Sequence, residues 1–425
     1  MAKDNSCVFG GNVLNSQAPS ENKIQEIVKL LSRQEYTLSL IKARALLGEF
    51  KQFSMLYSII GSILFKLKDD TLAYNSFRRS IILEPTKHQL YNNFAAVCLE
   101  QNNFDEAKKL FAKTLKIEPY YKKAYYHLGN IFQNLGNIEL AIEYYKRAIK
   151  IDPTYHLAKY FLGNALIELG KFEDASKTFS ETDFRDSRSR EVEALYCTQD
   201  TANFYEKYST LTRNGLCNPI IGAVGCHASL RFQCPIDNTF CRKPLDYVSQ
   251  SLFCNNIDTT NYIRQELQTL LSKDAFEMRQ QPIVNMGWQT SGNLLSRKGS
   301  IFEFLEESIV TEIERYFQLY KSSSEGFIKA WPKKLSLKAW LIGLRNEGFL
   351  ASHIHRDSWI SGSIYLHIPK KNKVGDGDLV VTLHGAEFPP LNQEIPKRNI
   401  DVQTGDICIF PSSLFHYTQP ISSDE

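Results

Sequence analysis

Residues 119–153 read PYYKKAYYHLGNIFQNLGNIELAIEYYKRAIKIDP, and the prolines at both ends belong to a series in which Pro85, Pro119 and Pro153 recur every 34 residues. Other residue types keep the same step. Alanine returns at Ala73, Ala107, Ala141 and Ala175, an aromatic follows at Phe77, Phe111, Tyr145 and Phe179, and glycine stands at Gly61, Gly129 and Gly163. A fixed period of this length marks stacked supersecondary units, each too small to bury its own apolar face. Every unit reads as two helices. The small residues permit a close crossing, the aromatic fills the space between neighbouring units, and proline ends a helix it cannot continue. Full units fall at about 54–87, 88–121 and 122–155, with a partial unit at 156–187 that lacks the terminal proline. A degenerate helical pair at about 21–53 is expected to cap the stack, so that the solenoid spans 21–187.

Composition narrows the possible functions. In 425 residues, 50 Lys and Arg against 47 Asp and Glu leave a formal charge of +3, so no strong basic field is available for nucleic-acid binding. No apolar stretch reaches the roughly 18 residues of a membrane span. Residues 1–20 are polar and lack the apolar core of a secretory signal, and they read as a disordered tail. Nine cysteines, an odd number without an export signal, favour reduced thiols and a cytoplasmic location. Five of them lie between Cys217 and Cys254, but without C-x2-C pairs they read as buried thiols rather than a zinc module.

The period stops after Glu181, and the charged run DFRDSRSR at 183–190 closes the stack. Residues 188–260 are expected to be an irregular, connective region, with short helical pieces from about 191 and then NGLCNPIIGAV and CPIDNTFCRKPLDYV, where Gly, Pro and Asn interrupt any period. Beyond them, 261–425 reads as one domain. Amphipathic helices are expected at 261–273 and 302–321, the second with apolar residues at Phe302, Leu305, Ile309, Ile313 and Phe317 that should lie on a sheet. From Leu335 onward short β-forming runs alternate with turn residues, the pattern of an all-β barrel or sandwich.

Five of the nine histidines, His353, His355, His367, His384 and His416, fall in this last stretch. If His355 and Asp357 lie on a strand, their side chains share a face and can hold one metal ion with His416 from a neighbouring strand. Two imidazoles and a carboxylate form the facial triad of non-haem Fe(II). His353 shares the same phase, so His353, His355 and His416 form an alternative set. His367 and His384 read as packed or surface histidines, and Trp359 as a core residue.

The 34-residue pattern resembles the tetratricopeptide repeat (TPR). In that family the positions of Tyr126, Asn130, Tyr160 and Asn164 face a concave groove, which implies a protein or peptide partner held through side-chain amides. The segments SHIHRDSWISGSIYLHIP and GDICIFPSSLFHYTQP resemble Fe(II)/2-oxoglutarate-dependent oxygenases of the bacterial and phage type that carry such repeats ahead of a jelly-roll domain. The fold class implied is multidomain α + β, a helical solenoid followed by a double-stranded β-helix, jelly-roll or cupin-like, with flanking helices. The resemblance implies Fe(II) and 2-oxoglutarate as cofactor and co-substrate, with O2 consumed and a C–H bond hydroxylated. It assigns His355, Asp357 and His416 to the iron and Tyr365 to the distal carboxylate of 2-oxoglutarate. An Arg expected about ten residues beyond the second histidine is missing, since the chain ends at Glu425, and the domain therefore reads as truncated within its last strand. The contrasting reading is a TPR scaffold for protein interaction with a catalytically silent jelly-roll domain.

Overall fold

The computed structural model describes residues 18–422 apart from 274, 277, 280, 298 and 386. Most of the expected N-terminal tail thus lies outside the described residues. The chain divides into two compact units, Met1–Phe184 and Arg185–Glu425. Among the described residues no helix is long and apolar enough to cross a membrane.

The first unit is a row of helical hairpins: α1 (Glu21–Ser32) with α2 (Tyr36–Glu49), α3 (Ser54–Lys66) with α4 (Asp70–Leu83), α5 (His88–Glu100) with α6 (Phe104–Ile117), α7 (Lys122–Asn134) with α8 (Ile138–Ile151), and α9 (His156–Glu168) with α10 (Phe172–Ser180). The crossing inside each hairpin has a steric cause. A Cβ on Gly129 would lie 2.5 Å from the Tyr145 ring, one on Gly163 2.5 Å from Phe179, and one on Gly61 2.9 Å from Phe77. In these three hairpins the periodic aromatic therefore packs on the glycine of its own hairpin. The periodic aromatic also touches the next hairpin, since Phe77 stacks on Phe94 and Phe111 on His127 with centroids 5.1 and 5.2 Å apart.

The turn between paired helices is periodic as well. Gln34, Lys68, Asn102, Gly136 and Gly170, each 34 residues after the last, all take positive φ. The residue that follows closes the start of the second helix in three repeats, where the side chains of Asp69, Asn103 and Asn137 accept from the N–H groups of Leu72, Glu106 and Leu140. Each cap satisfies a helix-end donor that would otherwise face water alone. Gln34 shows that the degenerate pair at the N-terminal end keeps the repeat geometry.

The second unit begins with α11 (Ser187–Tyr196), α12 (Thr201–Arg213) and α13 (Pro219–Arg231), then β1 (Ser249–Leu252) and α14 (Ile257–Ser272). Residues 188–260, expected to be connective with only short helical pieces, thus contain three helices and a strand that belong to this unit. The Asn218-Pro219 pair that suggested interruption starts a helix instead, with Pro at its first position and Asn218 accepting from the Ile221 N–H. The remaining elements are β2 (Met278–Arg279), β3 (Val284–Thr290), α15 (Ser300–Tyr320), α16 (Gly326–Lys329), β4 (Ile342–Leu350), β5 (Ile360–Ile364), β6 (Leu379–Thr382), β7 (Lys397–Ile400), β8 (Asp406–Pro411) and β9 (Phe415–Thr418).

These strands form antiparallel sheets in the orders β1-β8-β5, β2-β3-β4 and β7-β6-β9. Alternation along the central strands sends side chains to two different cores. Cys408 and Phe410 of β8 meet Leu379 and Val381 of β6 and Ile400 of β7 in one cluster between the sheets. Ile407 and Ile409, of opposite phase, join Ile263 of α14 and Phe302 and Leu305 of α15 in another. On the far side of the β7-β6-β9 sheet, Phe415 packs with Val192, Tyr196 and Ile221 of the helical layer. Helices thus cover the outer faces of the core formed between the β1-β8-β5 and β7-β6-β9 sheets.

Candidate metal centre

Strand β9 places His416 opposite Val381, so its side chain lies on the inner face with the core residues Leu379 and Val381. The chain leaving β4 runs beside it. His353 and His416 form an isolated antiparallel bridge, the N–H of His353 donating to the His416 carbonyl at 3.1 Å and the reverse bond measuring 2.9 Å. His355 follows two residues on. The result is a cluster of His353, His355 and His416 whose ligand nitrogens all lie within 4.8 Å of one another. Ring centroids are 4.2 Å apart for His353 and His416, and 5.0 Å for His355 with each of the others. Among the described residues no other group of His, Cys, Asp and Glu comes together in this way.

The protonation state suits a metal. Burial holds the pKa of all three imidazoles down, that of His355 to about 4 and that of His416 well below the ordinary value. All are therefore neutral near pH 7. The Nδ1 of His353 lies 2.8 Å from the Ala351 carbonyl, which can only accept, so Nδ1 carries the proton and Nε2 keeps its lone pair. A longer contact of 3.5 Å joins Nδ1 of His416 to the Leu414 carbonyl. Phe410 packs edge-on against His416 and Trp340 lies parallel to His355, with centroids 5.0 and 6.3 Å away.

Asp357 is not part of this cluster. The strand phase that would have set it beside His355 does not exist, because the chain turns at Arg356 and Asp357, and Asp357 is exposed. The N–H of Ser358 donates to the His355 carbonyl at 3.1 Å and closes that turn. Alternation in steps of two holds only in extended backbone. Tyr365 sits against the core between the sheets, its hydroxyl buried beside Ser363. Burial pushes its pKa up, so it remains a neutral donor.

The other singled-out residues lie elsewhere. His367 is exposed beside Arg264, its Nδ1 3.2 Å from the guanidinium. His384 is half-buried and meets His227, with 2.7 Å between Nδ1 of the first and Nε2 of the second. Trp359 donates from Nε1 to the Phe327 carbonyl at 2.8 Å and packs on Phe240. Cys226 and Cys241 are buried free thiols, the first pushed up to about 12 by desolvation, which makes it inert rather than a ligand.

In the solenoid the expected groove residues divide differently. Tyr126 and Tyr160 are 7% and 3% exposed and belong to the packed interior, where Tyr126 touches Tyr155 and Phe161 and Tyr160 touches Phe179. Their position in the repeat is thus filled by core aromatics. Asn130 accepts from the Tyr145 hydroxyl at 2.7 Å, a bond inside its own hairpin. Asn164 has a buried side-chain oxygen without a partner.

Residues 338–425 match the family model described as "Putative 2OG-Fe(II) oxygenase", and residues 88–121 and 123–155 match tetratricopeptide repeat models. The chain thus carries TPR repeats in its N-terminal part and a domain of that oxygenase kind at its C-terminus. No curated protein matches the chain. Among solved structures it is similar to pilF of Pseudomonas aeruginosa, at 14% identity over 45% of this chain and 90% of that one, with a TM-score of 0.40. It is similar to PilW, a type IV pilus biogenesis factor, at 22% identity over 46% and 94% of the two chains, TM-score 0.39. YrrB, described as a TPR protein with an unusual peptide-binding site, matches at 18% identity over 39% and 89%, TM-score 0.32.

Proposed function

We propose that this chain is an Fe(II)- and 2-oxoglutarate-dependent dioxygenase, a hydroxylase, whose repeat stack binds a protein or peptide partner. The observation that carries the reading is the cluster of neutral imidazoles of His353, His355 and His416 on the inner face of the C-terminal domain. Imidazole nitrogen suits Fe(II), and three ligands leave positions open for small molecules. When bound, the iron and 2-oxoglutarate supply O2-driven hydroxylation of a C–H bond, with the co-substrate converted to succinate and CO2. The protein's part is to hold and to shield. His353 presents Nε2 because Ala351 takes the Nδ1 proton, and Phe410 and Trp340 flank the rings of His416 and His355. Tyr365 offers a buried hydroxyl beside Ser363 in the same interior, a donor suited to a carboxylate oxygen.

Anaerobic addition of Fe(II) and 2-oxoglutarate should give a visible metal-to-ligand charge-transfer band. His353→Ala and His416→Ala are expected to abolish it, and Tyr365→Phe to weaken 2-oxoglutarate binding with the metal retained. Asp357→Ala should leave iron affinity within a few-fold of the wild type. A large loss in Asp357→Ala with His353→Ala unaffected would restore the two-histidine, one-carboxylate set. Absence of any metal uptake by the wild type would leave the scaffold reading in its place.

A further inference from the structure

We propose that Arg356 is a positioning residue for the histidine cluster, acting through a chain of ion pairs, buried at Glu193, that fastens the turn after His355 to helix α11. The inference rests on the metal-site reading above. Arg356 follows His355 directly and forms the turn with Asp357. Its side chain is only 15% exposed, although it carries a charge throughout the physiological pH range. A guanidinium is removed from water at that depth only where carboxylates compensate it. Nε donates to Glu193 Oε1 at 2.7 Å, and Nη2 donates to the carboxylate of Glu387.

Glu193 lies on α11 and is itself 5% exposed. Its other oxygen accepts from Arg190 Nη1 at 3.4 Å, and Arg190 Nε donates to Asp186 at 3.1 Å. The chain therefore reaches from the start of α11 through the site turn to the loop beyond β6. The Cys197 thiol, next after α11, approaches the Glu387 carbonyl at 3.5 Å and ties that loop to the same helix.

The division of labour among the ligands supports this role. His353 is oriented by the Ala351 carbonyl and by its backbone bridge to His416. His416 belongs to a strand. His355 lies in the connection between β4 and β5, outside any regular element, and its place depends on what holds the turn. The planar fork of Arg356 meets two carboxylates from different segments, Glu193 and Glu387, and so restrains the turn in more than one direction. A lysine, with one compact ammonium, can keep only part of that restraint. Helix α11, far upstream in sequence, thereby becomes part of what shapes the site.

The test is Co(II) titration of the full chain, followed by its visible ligand-field spectrum, with folding checked by circular dichroism. Arg356→Gln should bind Co(II) about 10–100-fold more weakly than wild type, the range for loss of an outer-shell partner, and with an altered spectrum. Arg356→Lys should recover part of the loss, and Glu387→Gln should show a smaller one. Arg356→Gln that folds and gives wild-type affinity and spectrum overturns the proposal. If that variant does not fold, wild-type behaviour of both Arg356→Lys and Glu387→Gln overturns it, and graded losses in the two support it. Amide hydrogen exchange of residues 351–359 in metal-free protein separates this inference from the metal-site reading. Should the wild type take up no Co(II), the metal reading fails, while the clamp stands on faster exchange in the Arg356 variants and falls if exchange is unchanged.

Discussion

His127 lies in the solenoid with its ring parallel to Phe111 and its Nδ1 buried without a hydrogen-bond partner. Burial, with a smaller contribution from Lys123, holds its pKa down to about 4. An unfolded histidine titrates near 6.5, so between that value and about 4 the unfolded chain takes up a proton that the folded chain refuses. Stability is therefore complete above the unfolded value and declines as the pH falls through this window, by up to ~3 kcal/mol. His127→Phe keeps the stack and removes the titration. Thermal melting of the helical signal at pH 7 and pH 5 should show a smaller acid loss in the variant, and equal losses would place the acid sensitivity elsewhere. At the same scale, His355 and His416, the proposed ligands, were legible as candidates because histidine is rare and concentrated there. The third member of the cluster, His353, stood there only as the alternative to Asp357. Choosing between His353 and Asp357 required knowing where extended backbone ends, and the turn at Arg356 and Asp357 is set partly by Glu193, more than 150 residues upstream. Tyr126 and Tyr160 misled in a related way, since repeat phase identifies a position but not whether a bulky neighbour such as Phe161 closes over it.

In three of the five hairpins a single glycine, Gly61, Gly129 or Gly163, decides how near the helices approach. Gly129→Ala places a methyl 2.5 Å from the Tyr145 ring, which is fully buried and tied through its hydroxyl to Asn130 and Gln133. Two effects oppose each other. Alanine gains about 1 kcal/mol of helix propensity over glycine, whereas overpacking a filled core costs about 1–3 kcal/mol. The ring cannot swing away without breaking its hydrogen bonds, so the steric cost should prevail and the solenoid should lose about 1 kcal/mol. Chemical denaturation followed at the helix band would show it, and a stabilised variant would mean that the hairpin can open at no cost. The element pattern was legible here because one spacing repeats at the close contact, the turn and the cap alike. It failed at 188–260, where no residue pattern repeats. There Gly and Pro, usual signs of interruption, lie inside α13, whose Gly222 and Gly225 give room to the side chains of Phe240 and Tyr208.

Across the whole chain, the C-terminal unit depends on segments that a motif-based boundary would remove. Strand β1 pairs with β8 along Ser249–Leu252 and forms one edge of the sheet whose other edge is β5. Val248 enters the core between the sheets, Phe240 and Phe253 enter the core under α15, and α11 to α13 cover Phe415 beside His416. Cutting before 261 would expose these faces and leave β8 with an unpaired edge, a site for aggregation. A fragment of residues 185–425 retains all of these partners and every pair of the chain from Asp186 to Glu387 that holds the site turn. It should fold cooperatively and bind Co(II) within a few-fold of the full chain. A fragment of residues 261–425, although it contains the entire stretch matched as an oxygenase, should be insoluble or fail to bind. Comparable binding by the shorter fragment would show that the sheets and the three histidines form a sufficient core without the helical layer.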